Sequence, residues 1–281
     1  MELTSPDGAH WYRAVTGDPA GLLVGLDFDG TLAPIVPDPS RARAHPDALE
    51  VLAGLATRVR AVAVVTGRPV AQVLELGRIE EVADRLGDRG EIHVLGQYGA
   101  QRWSSTDRRV VSPPPPAELA ELRARLPQLL AEAGCPDAWV EDKGLALAVH
   151  TRRLPDPAEA FDRLLPVLSE WAGDHGLAVE PGRLVVEVRA GGTDKGDAVR
   201  RIVEELDARG VVFAGDDLGD VEAFRAVRAL RQAGTPGLLV CSGSDEQTAL
   251  VELADVVVDG PAGVVDLLRT LDRDLAAIEA G

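Results

Sequence analysis

Lysine is nearly missing from this 281-residue chain: of 29 basic residues only Lys143 and Lys195 are lysine. Arginine serves wherever a generic surface cation is needed, so the two lysines are candidates for places where a wide planar fork does not fit and a compact ammonium does. Cysteine is as scarce. Cys135 and Cys241 stand alone without CxxC spacing, which argues against a disulfide scaffold or a thiolate zinc site and points to a reduced, cytoplasmic compartment. Long apolar runs are lacking too: the stretches 21–26 and 61–65 fall far short of the ~18 residues that span a bilayer. Residues 1–18 carry Glu2, Asp7 and Asp18 and have neither a basic start nor an apolar stretch, so neither a signal peptide nor a membrane span is expected. Positive charge is also in deficit, 29 basic against 46 acidic residues for a net charge of −17. Nucleic acid and anionic membranes are therefore not expected partners, and a phosphate-bearing small molecule would need a local cation or metal.

What is present reads as a folded α/β protein. At roughly 150 residues per domain the length suggests two domains or one core with a large insertion, and 46% hydrophobic residues suffice for a sizeable core. Val/Leu/Ala-rich runs at 22–28, 61–66, 92–95, 211–214, 238–241 and 256–258 alternate with helical patterns at 46–56, 70–76, 194–205, 218–230 and 263–275. This is the signature of a doubly wound parallel sheet covered on both faces. The pattern breaks at Ser112 and the four prolines that follow it, a stiff spacer that cannot enter a sheet interior. Beyond it, helix 117–133, strands 139–142 and 145–150, helix 157–174 and strands near 177–180 and 184–189 predict an antiparallel sheet with two helices on one face. The expected division is a core of 1–111 and 190–281 with an α+β insert of 112–189. The small residues 190–193 form a hinge, and the residues before Gly21 are an extension of unassigned role.

Two acids end the first strand, in Leu26-Asp27-Phe28-Asp29-Gly30-Thr31. Ligands of open α/β sheets bind at such strand ends. Alternation turns Asp27 and Asp29 to the same side, where two anions repel unless a cation lies between them. An Asp-Gly turn explains Asp29 but not Asp27. A second acidic cluster, Asp216-Asp217-Leu218-Gly219-Asp220, follows the strand at 211–214. Carboxylates pooled from separate strand ends suit a hard ion such as Mg²⁺. Thr66-Gly67-Arg68 closes the second strand, where a hydroxyl and turn amides can meet a phosphate oxygen. Lys195 opens a helix, a position unfavourable for a cation unless anions face it.

In order along the chain these four segments resemble the four motifs of the haloacid dehalogenase superfamily of Mg²⁺-dependent phosphotransferases. The resemblance implies a Rossmann-like core, with Asp27 as the nucleophile of a phospho-aspartyl intermediate and Asp29 as the general acid. It gives Thr66 and Lys195 the phosphoryl oxygens. It implies Mg²⁺ held by Asp27, the backbone carbonyl of Asp29, and Asp216, with Asp217 and Asp220 in support.

In the insert, alternation sends Leu145, Leu147 and Val149 to one face and Ala146, Ala148, His150 and Arg152 to the other. Leu184, Val186 and Val188 likewise oppose Val185, Glu187 and Arg189. Glu141, Lys143, His150, Arg152, Arg183 and Glu187 are candidate partners for sugar hydroxyls, with Gly67 and Arg68 contributing from the core. An ordinary solvated sheet face is the competing reading.

The segments EDKGLALAVHTRR and GRLVVEVRAGGTDKG, with LDFDGTLAPI and GDDLGDVEAF, resemble those of trehalose-6-phosphate phosphatases from about residue 22 onward. That resemblance implies a C2-type cap and hydrolysis of a sugar phosphate, trehalose 6-phosphate; a monomer is expected. The chain departs from the family pattern at Tyr98, Gln101, Ala190 and Gly219. A phosphatase of a sucrose phosphate or a glycosyl-phosphoglycerate and a non-catalytic sugar-phosphate sensor are the alternatives.

Overall fold

The computed structural model describes residues 2–3, 8–182, 184–243 and 250–279. In chain order the first part of the core contains β1 (Glu2–Leu3), α1 (Gly8–Thr16), β2 (Leu22–Leu26), α2 (Ala48–Ala56), β3 (Ala61–Val65), α3 (Val70–Leu76), α4 (Ile79–Leu86), β4 (Ile92–Gly96) and β5 (Gln101–Ser104). The insert follows with α5 (Ala117–Glu132), β6 (Trp139–Asp142), β7 (Ala146–His150), α6 (Pro157–Asp174), β8 (Leu177–Gly182) and β9 (Val185–Ala190). The core resumes with α7 (Lys195–Glu205), β10 (Gly210–Gly215), α8 (Val221–Gln232), β11 (Gly237–Gly243), β12 (Val256–Asp259) and α9 (Gly260–Glu279). Contacts divide the chain into Met1–Ser112 with Thr193–Gly281 and, between them, Pro113–Gly192. Ala190 ends the last strand of the insert, and Gly191 and Gly192 fall with it.

The core sheet has the order β1-β12-β11-β10-β2-β3-β4-β5. Its six inner strands run parallel, while β1 and β5 pair antiparallel at the edges. The inner strands are apolar at almost every position because both faces are covered, and alternate residues enter different clusters. Leu22, Val24 and Leu26 of β2, with Val62, Val64, Val212 and Val240, pack under Leu52 and Leu55 of α2, Val82 of α4, and Leu268 and Leu271 of α9. Leu23, Ala63, Val65, Val211, Phe213 and Leu239 face the other way, onto Val199 and Ile202 of α7 and Phe224 of α8. Each such buried side chain contributes about 1.5–3 kcal/mol. Gly25 makes room for this second layer, since a Cβ there would lie 2.8 Å from the Phe213 ring.

The insert is a four-stranded antiparallel sheet of order β6-β7-β9-β8. Leu147, Val149, Val186 and Val188 point to one face and are covered by Leu119, Leu122 and Leu126 of α5 and Leu164 and Leu168 of α6. The opposite face carries Ala148 between Glu141 and Glu187, in register across three strands. Among the described residues, no helix is long and apolar enough to cross a membrane.

Candidate active site

The chain order reverses around β2, which lies between β3 and β10, so the carboxyl ends of these three strands form the crevice where open α/β sheets bind ligands. Asp27 follows β2 directly. Its amide donates to the Ala214 carbonyl at 2.9 Å, prolonging the β2/β10 ladder, and its side chain is buried. Lys195 is the first residue of α7. It is held there by a reciprocal cap, in which the Asp197 amide donates to Asp194 Oδ1 at 2.7 Å and the Asp194 amide donates to Asp197 Oδ2 at 3.1 Å. The buried Lys195 ammonium lies 2.7 Å from Asp27 Oδ1 and 2.7 Å from Asp220 Oδ1.

Asp216 and Asp220 come from the loop after β10. The other oxygen of Asp220 accepts the Asp216 amide at 3.0 Å and the Asp217 amide at 3.4 Å. Asp220 is thus fully engaged and props the loop, while Asp217 caps it by accepting the Gly219 amide at 2.9 Å. Carboxylate oxygens of Asp27, Asp216 and Asp220 lie within 4.8 Å of one another. Three buried carboxylates share one ammonium, so ionising all three leaves two negative charges uncompensated.

The titration of the cluster follows from that imbalance. Burial raises Asp27 well above the usual carboxylate range, Asp220, Asp216 and Asp217 push the same way, and Lys195 pulls it back. Burial and then Asp217 and Asp220 raise Asp216 to about 8. Asp220 is raised mainly by burial, with Lys195 opposing. Burial alone would depress Lys195, but Asp220 and Asp27 outweigh it and hold the ammonium well above its ordinary value. Protons or a cation must supply the missing positive charge, and an all-carboxylate donor set is that of a hard divalent ion.

Asp29 has a partner of its own. Its carboxylate accepts two bonds from Arg68, from Nε at 2.6 Å and from Nη2 at 2.7 Å. The guanidinium also lies 5.6 Å from the Phe28 ring centroid and donates to Gln72 at 3.3 Å. Arg68, expected from sequence to contact substrate, here grips the acid of the first motif, and its second partner, Gln72 one helical turn on, was not singled out. Buried Thr66 accepts the Arg68 amide on its hydroxyl oxygen at 3.2 Å. Gly67 lies against Tyr98, whose hydroxyl would be 2.9 Å from a Cβ at that position. Gln97 and Tyr98 both adopt left-handed backbone conformations, φ 48° and 58°. The Gln97 amide donates to the Arg68 carbonyl and the Tyr98 amide to the Thr66 carbonyl, each at 2.9 Å.

The insert carries a separate polar cluster. Lys143 lies 2.5 Å from Glu187 Oε2, with both side chains largely buried, and Glu187 Oε1 is buried without a hydrogen-bond partner. His150 Nε2 is 3.1 Å from Glu141, and its ring stacks on Trp139 at 4.3 Å. Trp139 was not singled out from sequence, although it stands two residues from Glu141 on an alternating strand. β7 ends at His150, so alternation does not extend to Arg152, which is exposed in the turn beyond. Arg183 lies outside the described residues.

Residues 25–83 and 129–256 match the trehalose-phosphatase family model. The chain is 30% identical over 229 residues to a probable trehalose-phosphate phosphatase of Sinorhizobium fredii, covering 79% of this chain and 80% of that one. It is also 30% identical over 209 residues to the trehalose-6-phosphate phosphatase of Escherichia coli, 73% of each chain. The C-terminal domain of the Candida albicans trehalose-6-phosphate phosphatase superposes with a TM-score of 0.73 at 18% identity, over 96% of this chain and 98% of that one. A haloacid dehalogenase-like hydrolase from Bacteroides thetaiotaomicron superposes at 0.63 and 16% identity, over 89% and 98%. The fold is thus that of a haloacid dehalogenase core with an inserted α+β unit, and by sequence the chain belongs to the trehalose-phosphatase family.

Proposed function

We propose that this protein hydrolyses trehalose 6-phosphate to trehalose and inorganic phosphate, with Asp27 as nucleophile and Mg²⁺ as the cation of the acid cluster. The observation that carries this reading is the buried convergence of Asp27, Lys195, Asp216 and Asp220 at adjoining strand ends, in a member of this family. The carboxylates of Asp27 and Asp216 and the backbone carbonyl of Asp29 would hold the ion, with Asp220 and Asp217 fixing the loop that presents Asp216. When bound, Mg²⁺ supplies the positive charge that lets a phosphate dianion approach an ionised Asp27.

A carboxylate oxygen of Asp27 attacks phosphorus in line as the bond from phosphorus to the sugar oxygen breaks. Asp29, released from the Arg68 fork and protonated from solvent, gives that proton to the leaving oxygen. Asp29 then takes a proton from water as the water oxygen attacks phosphorus, which frees Asp27 and inorganic phosphate. Lys195 and Thr66 hold the equatorial phosphoryl oxygens. The Thr66 oxygen accepts the Arg68 amide, which leaves its O–H to donate. The Gly67 amide assists as part of the same turn.

Glu141, Lys143, His150 and Glu187 of the insert read the sugar. A buried carboxylate oxygen without a partner is costly, and a sugar hydroxyl is a donor that relieves it. Arg68 acts through Asp29, holding it as a carboxylate at the strand end until a substrate takes its place there.

Two measurements test the reading. Phosphate release from trehalose 6-phosphate, a sucrose phosphate, a glycosyl-phosphoglycerate and p-nitrophenyl phosphate should favour the first. Negligible preference for it would discard the substrate assignment. Asp27→Asn should abolish turnover in a folded protein, and hydrolysis at the wild-type rate would remove Asp27 as nucleophile.

A further inference from the structure

In β11 the even positions, Leu238 and Val240, enter the apolar layer under α9, so residue 242 continues on that face. It is a serine, and it is buried. A hydroxyl in an apolar layer needs a partner, and Ser242 has one in the first motif: its Oγ donates to the backbone carbonyl of Gly30 at 2.6 Å, across 212 residues of sequence.

Gly30 is held on every side. Its amide donates to the Ala33 carbonyl at 2.7 Å, and its φ of +71° is one that side chains rarely adopt. A Cβ there would overlap the Asp216 carboxylate. The turn is therefore wedged between Asp216 on one side and Ser242 on the other. The peptide joining Asp29 to Gly30 is planar and trans. With its N–H aimed at Ala33, its carbonyl, that of Asp29, must point the opposite way. The Ser242 hydrogen bond fixes the next peptide, so the two planes that meet at the Gly30 Cα are each tied, the 29–30 unit by its own N–H to Ala33 and the 30–31 unit by Ser242.

We propose that Ser242 is a positioning residue of the phosphatase centre, which by holding the Gly30 carbonyl sets the Asp29 backbone carbonyl and the adjoining Asp216 carboxylate at the spacing a divalent cation requires. This rests on the reading of the acid cluster as a Mg²⁺ site. The role is that of an outer partner that orients ligands without touching the ion.

The test uses an isosteric pair, Ser242→Thr, which keeps the hydroxyl, and Ser242→Val, which replaces it with a methyl group. Mg²⁺ is titrated into the full-length metal-free protein by calorimetry, and the rate is measured at saturating Mg²⁺ with trehalose 6-phosphate. Ser242→Val should weaken Mg²⁺ binding about tenfold and lower kcat with little change in KM, while Ser242→Thr stays within about twofold of wild type in both. Melting temperatures without Mg²⁺ identify a variant that has merely failed to fold. If Ser242→Val does so, Ser242→Ala takes its place in the comparison with Ser242→Thr. Equal Mg²⁺ affinity in the hydroxyl-bearing and hydroxyl-free variants would overturn the inference while leaving the metal reading intact. Failure of the wild-type protein to bind millimolar Mg²⁺ would remove that reading and this inference with it.

Discussion

The core and the insert each bury lysine against carboxylates, and they do so with opposite bookkeeping. In the core one ammonium faces three acids, Asp27, Asp216 and Asp220. In the insert Lys143 pairs with Glu187, Glu141 with His150, and Arg189 with Glu180 at 2.5 Å. The first arrangement is short of positive charge and suits an ion. The second gives each acid a partner of its own and, among the described residues, leaves Glu187 Oε1 as a buried acceptor without one, which suits neutral hydroxyls. Both lysines of the chain are used in this way, one in each unit.

The largest break in the comparison comes from removing the core ammonium. Lys195→Met leaves the acids with no counter-charge, and stripping one partner from a buried ion pair costs about 3–5 kcal/mol. Denaturant melts of the metal-free protein should show that loss, together with the disappearance of phosphatase activity. An unchanged unfolding midpoint would mean that the Lys195 ammonium does not stabilise the acids it touches. The insert should respond differently. Glu187→Gln removes an acceptor for a sugar hydroxyl, so KM for trehalose 6-phosphate should rise about tenfold, the equivalent of roughly 1.4 kcal/mol. The rate with p-nitrophenyl phosphate, which has no sugar, should hold. Equal losses on both substrates would show that Glu187 supports the fold and does not read the sugar.

The smallest effect sharpens the contrast through pH. Asp216 titrates at about 8 in the metal-free protein, against ~3.8 for an ordinary aspartate. Between those values the folded state keeps a proton that the unfolded chain has released. Its stabilising contribution is complete below pH ~4 and is lost as pH rises toward 8. Saturating Mg²⁺ takes the place of that proton, so the rise in melting temperature on adding Mg²⁺ should grow from pH 5 to pH 8. A rise that shrinks over this interval would contradict the assignment of the cation to this cluster.

Much of this was legible in the sequence for a simple reason. Strands buried on both faces must be apolar throughout, so β2, β3, β10 and β11 stand out as runs, and polar residues just past their ends mark the crevice. The edges were less visible: β1 and β5 are short, of mixed polarity, and held by main-chain pairing that composition does not encode. Partner choice was also hidden. Arg68 follows a strand-end turn, where a phosphate ligand is the natural reading, yet its fork meets Asp29, 39 residues away. Ser242 lies in an apolar run with no motif around it, and only its contact with Gly30 gives it a purpose. Arg152 sits just past the last alternating residue of β7, where period two no longer decides direction.

The placement of β2 bears on how the protein is made. Its two neighbours are β3, which is synthesised soon after it, and β10, which appears almost two hundred residues later. Until the ribosome has released β10, β2 presents an apolar edge with unpaired amides, a surface prone to wrong association in a nascent chain. The same delay withholds Lys195, Asp216 and Asp220 from Asp27, so the growing polypeptide carries its nucleophile long before it can use it.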